Sequence, residues 1–168
     1  MKEHLDGRYF DPDLYNCSWD EEVMSVICFN LAGQLCGFQN YRRGAPKQQS
    51  NDPKESRYFT YRPKHTLVSF GLETLSYRDD VVFLTEGLFD ACRLHNLGLP
   101  AIATLSNDPK MLSSWLRTLL QTKVAVCDGD KAGKKLAKLG DYVITMPEET
   151  DLGDMTDDEV RETVSAWL

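Results

Sequence analysis

The chain reads as an α/β protein: a mostly parallel sheet flanked by helices, preceded by a small β-rich part with an α+β character. Three observations predict this. From Asp79 onward, short apolar runs alternate with helix-periodic stretches, the pattern of strands joined by crossover helices. Before Asp79 the chain shows alternating strand-like runs around a turn, not helices. The 168 residues are 42% hydrophobic, enough for one domain or one and a half. The spacing sets the division at residues 1–78 and 79–168.

In the first part, "VMSVICFNLAGQLCGFQNYR" predicts a β-hairpin, with strand-rich runs on either side of Ala32-Gly33. "RRGAPKQQSNDPKES" is turn-rich and polar and predicts a loop. "RYFTYRP" resumes a strand, and "LVSFGLETLSY" predicts a strand followed by a short helix. In the second part, "VVFLTEG" predicts a buried strand, "LFDACRLHNLG" a helix closed by Gly98, and "PAIATLS" a second strand. "DPKMLSSWLRTLLQ" predicts a helix with Asp108 as N-cap and Pro109 at the first helical position. "KVAVCDGD" is a third strand, "KAGKKLAKLG" a helix ending at Gly140, "YVITMP" a fourth strand, and "MTDDEVRETVSAWL" a helical tail.

Charge is unevenly placed. The net charge is −7, yet residues 42–64 hold seven basic residues against two acidic ones, a local excess of five. Acid crowds the end, at Glu148, Glu149, Asp151, Asp154, Asp157, Asp158 and Glu159. A basic segment and an acidic cluster on one chain suit the joint binding of a polyanion and a divalent metal. No apolar run is long enough to cross a membrane, and "MKEHLDGRYFDPD" lacks the apolar core of a signal peptide. The five cysteines show no CxxC and no Cys/His pairing, so reduced thiols in a cytoplasmic protein are expected and zinc is not.

In a parallel sheet, active groups gather at the carboxyl ends of the strands. Glu86 ends the first strand of the second part, Asp128 and Asp130 end the third, and Asp151 and Asp154 follow the fourth. Asp128 and Asp130 stand one residue apart, an arrangement that costs free energy unless a cation sits between them. Carboxylate oxygens are the donors Mg²⁺ prefers, and a cation held this way can organise phosphoryl transfer. Each acid alone could be an N-cap or a solvated loop residue. Asp90 in particular either faces the cluster or supports the first turn of its helix.

"FLTEGLFDACRLHNLGLPAIATLSND", followed by "VAVCDGDKAGKKLA" and "TDLGDM", resembles the Toprim domain shared by primases, topoisomerases and several nucleases. The resemblance covers roughly residues 80–155. "EGLFDA" and "DGDKAG" are closest to the primase pattern. The Gly33-x-x-x-Gly37-Phe38 hairpin, the basic segment and the aromatic-Gly-Leu stretch resemble the N-terminal subdomain of primase polymerase cores, most of all phage primases fused to helicases.

The resemblance implies Mg²⁺ or Mn²⁺ on Asp128 and Asp130, with Asp151 and Asp154 as a third acidic element and Glu86 as general base or metal-site partner. It implies a basic ridge for single-stranded DNA and ribonucleoside triphosphates, carried by Arg42, Arg43, Lys54, Arg57 and Lys64. Tyr41, Tyr58, Phe59 and Tyr61 are open to two readings, base stacking or core. For Lys134 and Lys135 a solvated helix face is preferred over phosphate contact. The chain departs from the pattern in lacking a Cys/His zinc module and a helicase segment, and in reading D-L-G-D at the third element. Three readings follow: a catalytic-core fragment of a longer primase, a gene product that works with partners such as a replicative helicase or a separate zinc-module protein, or a relative that lost de novo priming. The expected activity is primer synthesis in phage-type DNA replication; the alternatives are a Toprim-type nuclease and a non-catalytic replication module.

Overall fold

The computed structural model describes residues 1–47, 51–106, 109–129, 131–147 and 150–168. The chain divides into two compact units, Met1–Val68 and Ser69–Leu168.

The first unit is built on an antiparallel sheet of β1 (Cys17–Trp19), β2 (Val23–Phe29), β3 (Leu35–Arg42) and β4 (Tyr58–Tyr61), in that spatial order. Burial alternates along β2, with Met24, Val26 and Cys28 inward, as a period-two apolar pattern requires. The expected hairpin forms between β2 and β3. Asn30 Oδ1 accepts from the backbone N–H groups of Ala32 and Gln34, both at 2.9 Å. Gly33 completes the turn at φ 72°, a region costly for side chains with a Cβ. Tyr41 stands opposite both Met24 and Tyr58, and its ring is buried. Two elements carried no sequence signal: the short helix α1 (Lys2–Asp6) and the edge strand β1. His4 on α1 ties to Tyr41, with Nε2 2.6 Å from the phenol oxygen and the rings stacked.

The second unit has a parallel sheet of β5 (Val81–Thr85), β6 (Ala101–Ala103), β7 (Thr122–Cys127) and β8 (Tyr142–Thr145), in the order β6-β5-β7-β8. β5 and β7 are central and apolar, with Val82, Phe83, Leu84, Val124 and Ala125 buried, as expected for strands covered on both faces. Helix α2 (Leu88–Asn96) links β5 to β6, and Gly98 follows it at φ 75°. α4 (Gly133–Leu136), extended by a 3₁₀ turn over Ala137–Leu139, links β7 to β8, and α5 (Asp157–Thr163) follows.

Two expected elements differ from the structure. The strand and helix expected over "LVSFGLETLSY" reduce to one antiparallel bridge, Phe70 to Ala103, and a 3₁₀ turn at Leu72–Thr74. Gly71, at φ 92°, breaks the strand between them; a Cβ there would collide with the Ala101 carbonyl and press on the His95 ring. The helix expected from Pro109 onward is a 3₁₀ turn, Pro109–Leu112, running into the single turn of α3 (Ser113–Leu116). Serine and threonine hydroxyls compete for backbone groups there: Thr118 Oγ1 donates to Trp115 O at 2.7 Å, where a longer helix would continue. Asp108, its expected cap, lies outside the described residues.

The chain leaves β5 for β6 on one side, then returns past β5 to β7 and β8 on the other. The direction of winding therefore reverses between β5 and β7, the position where open parallel sheets form their crevice.

Candidate active site

Residues ending β5 and β7 flank that reversal. Pairing of these strands runs from Val81 opposite Thr122 to Leu84 opposite Ala125, so Glu86 and Asp128 emerge at the same end of the sheet. Glu86 is half-buried and Asp128 exposed. Both reach the buried Cys127 thiol electrostatically. Burial first, then the Glu86 and Asp128 carboxylates, push that thiol up to about 12. Cys127 is thereby held neutral, a packing residue and not a nucleophile. All five cysteines are free thiols.

Helix α2 begins at this edge. Its first turn is closed by Asp90, whose Oδ2 accepts from the Gly87 N–H at 3.1 Å. The other oxygen, Oδ1, accepts from the Gly153 N–H at 3.0 Å. The same N–H also reaches Asp151 Oδ1, at 2.8 Å. Two carboxyls thus grip one amide, both accepting from the Gly153 N–H. The Asp90 carboxyl is held well above the usual carboxylate range. Burial is the main cause, followed by the hydrogen bond and charge of Asp151 and by the charge of Asp128; the Gly153 N–H opposes the shift.

The structure thus joins Asp90 to the strand-end acids. The sequence left its role open, although an acid at the third position of a helix directly after a Glu-Gly strand end was the available signal. Asp151 caps the 3₁₀ turn Leu152–Asp154, and Asp154 is exposed. Asp130 lies outside the described residues, as do Glu148 and Glu149. Gly133 explains why the motif after Asp128 ends in glycine: a Cβ at this position would collide with the Asp128 carbonyl, so α4 starts in direct contact with that backbone.

Among the described residues no three His, Cys, Asp or Glu side chains are grouped closely enough to hold a metal ion. The donor chemistry nevertheless fits a hard divalent cation. Asp90, Asp151 and Asp128 are all oxygen donors, and burial first, then the neighbouring Asp151 and Asp128, disfavour the charged form of Asp90, a cost that a cation would relieve.

In the first unit, the basic residues differ in what holds them. Arg42 and Arg57 brace the loop between β3 and β4. Arg42 Nε donates to Lys54 O at 3.2 Å and its Nη2 pairs with Glu55 at 3.3 Å, while Arg57 Nε donates to Ala45 O at 2.8 Å. Arg43, Lys54 and Lys64 are exposed. Of the aromatics open to two readings, Tyr41 is core, Phe59 is half-buried, and Tyr58 and Tyr61 are exposed, Tyr61 stacking on Phe38 at 5.2 Å. Lys134 and Lys135 are exposed on α4.

Arg93 carried no functional signal in the sequence. It is fully buried on α2, and its Nη2 donates to Asp157 Oδ1 at 2.6 Å. A cation inside the apolar run "LFDACRL" was the hint.

No protein-family model matches the chain. It is 29% identical over 125 residues to an uncharacterized protein of Mycoplasma genitalium, MG010, over 71% of this chain and 54% of that protein. Three solved structures share its architecture. The Aquifex aeolicus primase, with zinc-binding and RNA polymerase domains, matches at TM-score 0.67 and 18% identity over 98% of this chain and 55% of its own. A DnaG primase catalytic domain bound to single-stranded DNA matches at TM-score 0.65 and 15% identity, over 98% and 57%. The RNA polymerase domain of Mycobacterium tuberculosis primase DnaG matches at 0.61 and 20% identity, over 98% and 62%. The chain has the fold of the primase catalytic core, and it spans a little over half the length of each of these proteins.

Proposed function

We propose that this chain is a primase-like nucleotidyltransferase core of the Toprim type, joining ribonucleotides on a single-stranded DNA template. The observation that carries the reading is the shared grip of Asp90 and Asp151 on the Gly153 amide, with Glu86 and Asp128 ending neighbouring strands at the winding reversal of a fold shared with primase cores. Asp128 and Asp130 would hold Mg²⁺ or Mn²⁺, with Asp151, Asp154 and Glu86 as the further acids of the set and Asp90 contributing through its contact with the Asp151 turn. When bound, such a cation would neutralise charge on the triphosphate and on the departing pyrophosphate. Glu86 accepts the proton of the attacking 3′-hydroxyl at its carboxylate. Arg43, Lys54 and Lys64 hold template phosphates by charge, a contact that weakens with salt, while Arg42 and Arg57 shape the loop that presents them. Primer synthesis in phage-type replication, with a helicase or a separate zinc-module protein as partner, is the setting this reading favours.

The test is a template-directed assay on single-stranded DNA with labelled ribonucleotides and Mg²⁺, run beside Asp128→Ala and Glu86→Gln. Short oligoribonucleotides made by the parent and lost in both variants support the proposal. Metal-dependent cutting of the same DNA without ribonucleotides would replace it with a nuclease. Neither activity at high protein concentration would leave a non-catalytic module.

A further inference from the structure

We propose that Arg93 is a positioning residue: through Asp157 it holds the 151–157 turn against α2, so that the Asp151 carboxyl meets Asp90. The inference rests on the cation-site reading of Asp90 and Asp151 given above.

The geometry is a two-point attachment. Asp90 and Arg93 lie three residues apart on α2 and so project from one side of the helix. Asp90 grips the turn at its start, through the Gly153 N–H. Arg93 grips it at its end, through Asp157, the first residue of α5. Between the two grips the chain is set by its own caps. Asp151 accepts from Gly153, and Thr156 closes α5 with Glu159 in a reciprocal capping box. Val160 and Val164 are buried, and both α5 and the Leu152–Asp154 turn pack on α2.

A buried guanidinium is an expensive way to staple a helix, because its charge must leave water. Apolar packing alone would hold α5. What the ion pair adds is direction: the guanidinium is fixed inside α2's packing, so the position of Asp157 along the helix is fixed as well. The turn between the grips has little freedom left, and the Asp151 carboxyl stays on Asp90. Outer contacts of this kind orient ligands without touching the cation.

The experiment compares the full chain with Asp157→Asn, Asp157→Glu and Val160→Ala. Mn²⁺ binding is followed by electron paramagnetic resonance, and Gly153 amide exchange is followed by NMR without metal. Asp157→Asn should weaken Mn²⁺ binding about tenfold, the low end for residues behind metal ligands, and speed Gly153 exchange. Asp157→Glu should restore both. Val160→Ala should lower the melting temperature without moving the Mn²⁺ Kd. An unchanged Kd and unchanged exchange in Asp157→Asn would overturn the proposal, as would an equal loss of affinity in Val160→Ala. The underlying cation reading fails separately: the parent would bind no Mn²⁺, or Asp151→Ala would bind it as well as the parent. Gly153 exchange would then still report whether Arg93 sets the turn.

Discussion

The two sheets hold their acids in opposite electrostatic states. In the first unit Asp20 sits in the turn between β1 and β2 and accepts from the Val23 and Glu22 N–H groups, which hold its carboxyl below the usual range. In the second unit Asp90 accepts from backbone N–H groups as well, yet it is held far above that range, because burial and Asp151 outweigh them. The same ligation by amides thus gives a settled anion in a solvated turn and a strained carboxyl pair at the sheet's carboxyl edge. A carboxylate that merely shapes the chain is relieved by its own neighbourhood. The one that the proposed cation site would use is not.

The comparison can be broken most severely at Gly133. Gly133→Ala drives a Cβ into the Asp128 carbonyl, and the overpacking should cost about 1–3 kcal/mol and displace Asp128; urea unfolding and the primer assay measure the two effects. An alanine tolerated in both would mean that α4 is free to shift and the contact sets nothing.

The next test is in pH. Because the folded form of Asp90 holds its proton more tightly than the unfolded form, the native state binds more protons between the ordinary carboxyl range and the raised value. Stability should therefore fall as pH rises through that window. Asp90→Asn should flatten this slope, while Asp20→Asn should remove stability that is present above the ordinary range and lost in acid. Denaturant titrations across pH give both slopes. Equal behaviour of the two variants would erase the contrast.

The smallest effect belongs to the exposed cations. Lys54→Ala and Lys64→Ala should each lower the slope of log affinity against log salt for single-stranded DNA by about 0.7, with stability unchanged. Arg57→Ala should also loosen the loop it ties to Ala45, detected as faster proteolysis there.

Legibility in the sequence followed the same division. The second unit's strands and its strand-end acids could be read because alternating apolar runs impose a parallel sheet, and a parallel sheet brings all its carboxyl ends to one edge. Glu86 and Asp128 are placed by topology alone. Asp90 and Arg93 were not readable to the same degree, because their roles depend on where the 151–157 turn returns, a contact more than sixty residues away in the chain. In the first unit the hairpin was legible from the strand-rich runs on either side of Ala32-Gly33, but α1 and β1 are too short to leave a periodic pattern. The basic segment was legible as charge and not as geometry: sequence cannot separate Arg42 and Arg57, bonded to the loop they brace, from Lys54 and Lys64, which reach water.

β8 closes one side of the parallel sheet with the uncharged run "YVIT", and Tyr142 and Val143 are exposed. An edge of this composition carries neither the lysines nor the proline by which strands discourage pairing with foreign chains. Val143→Lys, by placing a charge on this edge, should raise the concentration at which samples begin to scatter light.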